Sequence, residues 1–220
     1  MFIGHFGVGF GAKTLTPKTS LGTLFIAAQF VDLLWPTLLL LGFETVAIKP
    51  GITKLTPLDF TSYPISHSLL MVCVWGLVIG GLYWFIKRNM KGAIVLGMCV
   101  VSHWLLDLFV HRPDLPLYPG DASRYGLGLW NSPVVAVVLE GLIFIGGMVF
   151  YLRTTTARNR AGTYGFWLLV GMLVLIYLAN IFGPPPPSVH AIAWAGQLQW
   201  LFVLMAYWVD RNRDISRQIT

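Results

Sequence analysis

The chain has 220 residues and a formal net charge of +6, yet only 11% of it is charged and 56% is hydrophobic, with a mean hydropathy of +0.70. An ordinary soluble domain carries about 25% charged residues, so a water-soluble globule is excluded and a bilayer is the expected solvent. The length suits one integral membrane domain over residues 1–220, and in such a chain a basic excess reports orientation, not nucleic-acid binding.

The first twelve residues hold no charge before Lys13 and are rich in Gly and Phe. They are too short to span, and they lack the charged start and cleavage site of a secretory signal. They read as a half-helix dipping into the bilayer, which would put His5 roughly 12 Å deeper than Lys13 at helical rise. A surface-lying amphipathic segment is the alternative.

A spanning helix needs about 20 mostly apolar residues. Such runs cover residues 21–43, 66–86, 92–111, 133–152, 164–183 and 189–209. The sequence thus predicts an all-α bundle of six transmembrane helices plus the short N-terminal half-helix. Pro36 is expected to kink the first span, because it removes a backbone donor and crowds the preceding turn. Cys73 and Cys99 lie inside apolar runs and read as small buried hydrophobes, not as a disulfide or a metal-binding pair.

With six spans the basic residues divide unevenly. Lys13, Lys18, Lys87, Arg88, Lys91, Arg153, Arg158, Arg160, Arg211, Arg213 and Arg217 fall on one side, and Lys49, Lys54, Arg112 and Arg124 on the other. The richer side is expected to be cytoplasmic, with both termini there. The opposite side carries the two longest loops, 44–65 and 112–132, a length at which loops tend to be functional. Asp59, Asp114 and Asp121 in those loops are expected to be solvated, with Asp114 able to join a site through the turn after His111.

Ionisable groups at membrane depth are costly and usually face a bundle interior or a cavity. They are His5, Asp32, His67, His103, Asp107, His111, Glu140 and His190. His103, Asp107 and His111 recur at intervals of four, which places them on one helical face. No Lys or Arg accompanies them, and unpaired buried carboxylates are paired or neutralised. A divalent metal is the partner this implies: zinc first for mixed imidazole and carboxylate donors, with manganese or iron next. His103 and His111 are about 12 Å apart along a helix axis. Asp107 would therefore either bridge two ions, or one histidine would stand outside the ligand set. An HxxxD pair by itself is common on helices, and His190 reads as a cap or interfacial residue.

Gly4-His5 with an apolar stretch ending in Ala12-Lys13, Asp32 before a proline, His67-Ser68-Leu69-Leu70, and Ser102-His103 with Asp107 resemble the YdjM-type membrane-bound metal-dependent hydrolases of bacteria, over roughly the first half of the chain. More distantly, the ordered His, Asp, His, HxxxD and Glu set is similar to helical zinc-dependent phospholipase C. The resemblance implies that His5, Asp32, His67, His103 and Asp107 are metal ligands, with Glu140 a further candidate, and it implies a bacterial inner-membrane location. The chain departs from the family in having Leu33-Leu34 after Asp32, where an acidic pair is usual. It also has Ser62-Tyr63-Pro64-Ile65-Ser66 before His67, where a basic residue and glycine are usual.

The expectation is a membrane-embedded hydrolase in which metal-activated water attacks a lipid or another phosphoester, with His111 or Glu140 as general acid or base. Two other classes stay open. One is an ion- or proton-coupled transporter using the buried His and Asp residues. The other is a haem-binding or structural subunit with His67 and His103 as axial ligands.

Overall fold

The computed structural model describes residues 1–216, so Arg217, counted above with the basic side, lies outside the described residues. The chain is a helical bundle. Helix α1 (Ile3–Ala12) is followed by α2 (Leu21–Ala28) and α3 (Phe30–Leu40), then by an antiparallel hairpin of β1 (Thr45–Ile48) and β2 (Leu58–Ser62). A short turn α4 (Pro64–His67) leads into α5 (Leu69–Lys87), α6 (Met90–Val110) and α7 (Pro133–Thr154). Strand β3 (Thr155–Ala157) precedes α8 (Arg160–Phe182), α9 (Val189–Gln197) and α10 (Gln199–Arg211), and pairs with β4 (Arg213–Ile215). Among the described residues six helical stretches are long and apolar enough to cross a membrane: Leu21–Leu40, Leu69–Lys87, Met90–Val110, Pro133–Thr154, Arg160–Phe182 and Val189–Arg211. Their outer surfaces expose Leu77, Leu82, Phe85, Val134, Leu142, Leu175, Phe182 and Leu204. Contiguous apolar surface of that extent belongs in lipid.

Helix α1 lies inside the bundle, which rules out the surface-lying alternative. Ile3, Gly4, His5, Phe6, Gly7, Gly9, Phe10 and Ala12 are all buried. Its glycines let backbones touch. A Cβ on Gly7 would sit 2.6 Å from the Ile143 carbonyl oxygen, and one on Gly147 would sit 1.9 Å from the carbonyl oxygen of Gly7. Small residues at a helix interface serve this close approach in membranes. On the other face Phe6 meets Phe25 and Phe202, and Phe10 meets Phe25, Phe144 and Phe166, edge to face, the arrangement that aromatic quadrupoles favour.

The first span breaks at Gln29, not at Pro36. Gln29 closes α2 and opens α3, while Pro36 sits inside α3. Proline leaves the carbonyl four residues back without its helical donor, here that of Asp32. Gln199 on α10 donates its Nε2–H to that carbonyl at 3.4 Å. Gly196 on α9 closes over the proline ring, with a built Cβ only 2.4 Å from Pro36 Cγ. The neighbouring segment thus covers the defect that Pro36 makes.

At one end of the bundle the buried Lys13 donates to Asp210 at 2.7 Å and to the Thr19 carbonyl at 2.9 Å, and the Tyr151 hydroxyl donates to the same carboxylate at 3.0 Å. Lys13 and the C-terminal end of α10 therefore share an end, as an even number of spans requires. Met1 does not lie there: it is buried, and its amino group donates to Asp107. The other end is roofed by the β1–β2 hairpin and the 112–132 loop. The loop returns to α6, where Leu127 N–H donates to the Leu108 carbonyl and Gly128 N–H to that of His111, both at 2.7 Å. These bonds satisfy the carbonyls that a helix end leaves open.

Candidate metal centre

Asp107 is the hub. It lies on α6, buried, one turn below the end of the helix. Its Oδ2 is 3.3 Å from His103 Nε2, 3.9 Å from His67 Nε2 and 3.9 Å from His111 Nε2. Its Oδ1 is 3.1 Å from His5 Nε2 and accepts from the Met1 amino group. Asp32 enters from α3, its Oδ1 3.5 Å from His67 Nε2 and 3.6 Å from His103 Nε2. His5 stacks flat on His103, ring centres 3.6 Å apart. The structure brings together five of the predicted groups, His5, Asp32, His67, His103 and Asp107, and adds His111. Two overlapping donor sets able to hold a metal ion emerge, His5–His103–Asp107 and Asp32–His67–His103, with ligand atoms within 4.8 Å of one another in each.

The imidazoles are oriented from behind. His103 Nδ1 lies 2.9 Å from the carbonyl oxygen of Ala28, the last residue before the break in the first span. A carbonyl only accepts, so Nδ1 carries the hydrogen. His111 Nδ1 lies 2.9 Å from Asp114 Oδ1, which also accepts from the Tyr63 hydroxyl at 2.7 Å. Burial, helped by the Asp114 carboxylate, pushes the Tyr63 hydroxyl well above its ordinary range, so it stays a donor. His67 Nδ1 lies 2.7 Å from Ser66 Oγ, whose hydroxyl donates to Glu44 Oε2 at 2.6 Å. In a neutral imidazole the second nitrogen then presents a lone pair. Three such Nε2 atoms face two carboxylates, and among the described residues His103 Nε2 makes no hydrogen bond at all.

The spacing fits a cation. Bonds of about 2.0–2.2 Å to a tetrahedral ion set neighbouring donors roughly 3.3–3.6 Å apart. The edges His103–Asp107, His67–Asp32 and His103–Asp32 fall in that range, and His67–Asp107 is slightly wider. Histidines held by an acceptor on the far nitrogen are how protein metal sites fix their ligands.

Several expectations change. His111 is not on the helical stripe. It caps α6 in extended conformation, so its ring folds back, and the axial separation from His103 no longer applies: both Nε2 atoms lie within 4 Å of one carboxylate oxygen. His67 sits on α4, cut off from α5 by the extended Ser68, whose side chain caps α5. Asp59, Asp114 and Asp121 are buried, not solvated. Asp59 pairs with Lys49 at 2.5 Å and with Arg112. Glu140 is buried beside α1, and its Oε2 accepts from Phe2 N–H at 2.9 Å and Gly4 N–H at 3.4 Å. It anchors the half-helix, and it belongs to neither donor set. Glu44, Tyr63 and Met1 were not singled out from the sequence. Glu44 and Tyr63 sit in a loop whose partners are distant in the chain, and Met1 contributes through its amino group, which no side-chain pattern shows. His190 is exposed on α9 and belongs to neither donor set.

No protein-family profile matches the chain, and neither a curated protein nor a solved structure is found to be similar to it.

Proposed function

We propose that the protein is a membrane-embedded metal-dependent hydrolase of lipid or other phosphoester substrates. The observation that supports this best is the outward anchoring of three imidazoles, which leaves His67, His103 and His111 Nε2 directed at the carboxylates of Asp32 and Asp107. Asp32, His67, His103 and Asp107 would hold a divalent ion, zinc by donor type, with manganese or iron next. Such an ion supplies a Lewis acid for a phosphoryl oxygen and makes water acidic enough to attack near neutral pH. His5 steadies the far oxygen of Asp107 and stacks on His103. His111 belongs to neither donor set and has Asp114 behind it, a placement suited to moving a proton between water and the leaving group. The partly exposed Asp32, 21% accessible at its side chain, marks the open edge of the site. The resemblance to YdjM-type hydrolases adds to this reading, and a bacterial inner membrane is the setting it implies.

The test is elemental analysis of the detergent-purified chain, alongside hydrolysis of a chromogenic phosphodiester and of phospholipid vesicles. Stoichiometric metal is expected, with hydrolysis that a chelator abolishes and the ion restores. A metal-free protein, or a metal-loaded one inert on both substrates, overturns the proposal.

A second reading, proton- or ion-coupled transport, draws on one feature. The break at Gln29 lies three residues from Asp32, and His103 Nε2 sits between two carboxylates where a proton also fits. Broken helices beside charged groups are a transporter device. Substrate-free proton flux in proteoliposomes, lost on Asp32→Asn, would favour it.

A further inference from the structure

Glu44 stands immediately before the hairpin, yet it is 1% exposed. Its Oε1 accepts from the backbone N–H groups of Ile65 and Ser66, both at 2.8 Å, and its Oε2 accepts from the Ser66 hydroxyl at 2.6 Å. These are the open amides at the start of α4, the turn that carries His67. The same Ser66 oxygen is 2.7 Å from His67 Nδ1.

The direction of this relay is forced. A carboxylate can only accept, so Ser66 spends its one hydrogen on Glu44. Its oxygen must then accept from His67, which puts a hydrogen on Nδ1 and, in the neutral ring, leaves Nε2 as a lone pair. That lone pair faces Asp32 Oδ1 at 3.5 Å and Asp107 Oδ2 at 3.9 Å. His103 takes its orientation from a carbonyl and His111 from the Asp114 carboxylate, with the Tyr63 hydroxyl 3.5 Å away, whereas His67 takes it through a hydroxyl that could point either way if Glu44 were not there.

We infer that Glu44, acting through Ser66, is the positioning residue that locks His67 into the tautomer whose Nε2 can take a metal ion. The consequence rests on the metal reading of the site, while the tautomer itself does not. Glu44→Gln is the informative change, because it keeps shape and reverses polarity. The amide oxygen can still accept from Ile65 and Ser66, but the amide nitrogen now donates to Ser66 Oγ. The hydroxyl then turns to His67 Nδ1, and the hydrogen moves to Nε2, where it blocks coordination.

Two measurements on the full-length detergent-solubilised chain test this. In metal-free protein with ¹⁵N-labelled histidine, long-range ¹H–¹⁵N correlations should show His67 as the Nδ1–H tautomer in wild type and the Nε2–H tautomer in Glu44→Gln. In zinc titration against a competing chelator, Glu44→Gln should weaken zinc binding by about 10–100-fold, the range for outer partners of metal ligands. Its metal-free melting temperature should be unchanged, and it should have no further effect in a His67→Ala background. Ser66→Ala, which keeps both backbone bonds of Glu44, should weaken zinc by about 10-fold and serves if Glu44→Gln does not fold. An Nδ1–H tautomer and wild-type zinc affinity in Glu44→Gln, or wild-type affinity in Ser66→Ala, overturns the inference. So does an equal loss in the His67→Ala background, which would mark a structural role. Should wild type bind no zinc, the metal reading falls, and the tautomer measurement alone decides this one.

Discussion

His103 is held in place by Ala28: its Nδ1–H donates to the Ala28 carbonyl at 2.9 Å. That carbonyl is open because α2 ends there, and the last carbonyls of a helix have no partner within it. A break in one span thus becomes the support for a ligand on another, and Nε2 of His103 is turned onto Asp32 and Asp107.

If that nitrogen holds the ion, removing it leaves two carboxylates facing each other across an empty vertex. His103→Ala is expected to abolish stoichiometric metal in the purified chain. His103→Gln should do the same, because an amide is a poor substitute for an imidazole nitrogen at a zinc site. Metal analysis of both variants beside wild type checks this, and a variant that keeps its metal would remove His103 from the ligand set.

His111 should behave differently. Its Nε2 is 3.9 Å from Asp107 and it belongs to neither donor set. Its ring is fixed by Asp114 and packs against Phe60 and Trp130, centres 4.9 and 4.2 Å away. His111→Asn is expected to retain metal while kcat falls by about 10²–10⁴-fold, the range for loss of a general acid or base. One limb of the pH–rate profile should disappear with it. Loss of metal in this variant would instead make His111 a ligand.

How much of this the sequence could show depends on the range of the interaction. The six spans and the HxxxD face were legible, because helical period and span length are local properties, and His103 and Asp107 do meet at i, i+4. The break at Gln29 was not, since glutamine is a good helix former in an unbroken apolar run. Pro36 drew attention instead, and its defect is repaired by Gln199, 167 residues away from the carbonyl it serves. The loop acids follow the same rule, Asp59 being expected in solvent and Glu44 not singled out. Glu44 meets Ser66 across 22 residues and Asp59 meets Arg112 across 53, and nothing in a loop's composition announces such partners. His111 was placed on the helical face by counting, but the helix ends one residue before it.

The packing of α1 gives a prediction independent of chemistry. A Cβ on Gly147 would fall 1.9 Å from the Gly7 carbonyl oxygen, and backbone cannot yield as a side-chain tip does. Gly147→Ala is therefore expected to destabilise the protein by about 1–3 kcal/mol, the usual cost of overpacking. Gly146→Ala next to it, where a Cβ meets nothing within 4 Å, should leave the melting temperature near wild type. Because α1 carries His5, the Gly147 variant should also bind metal more weakly. Equal melting temperatures for the two variants would mean that α1 does not dock against α7 in this way.

Glu140 separates anchoring from catalysis. Its carboxylate accepts from Phe2 and Gly4 N–H at the start of α1, amides that have no partner within the helix, and a negative charge there also complements the helix dipole. If this is its whole role, Glu140→Gln should be mild, because the amide oxygen can accept both bonds, and activity should stay within about tenfold of wild type, well short of the loss of a general base. Glu140→Ala should be severe for folding instead, since each buried N–H left without a partner costs about 1–3 kcal/mol. Melting temperature and kcat measured on both variants distinguish the cases. A stable Glu140→Gln protein with activity down by several orders of magnitude would return Glu140 to the chemistry, and would require its carboxylate to leave the α1 amides during turnover.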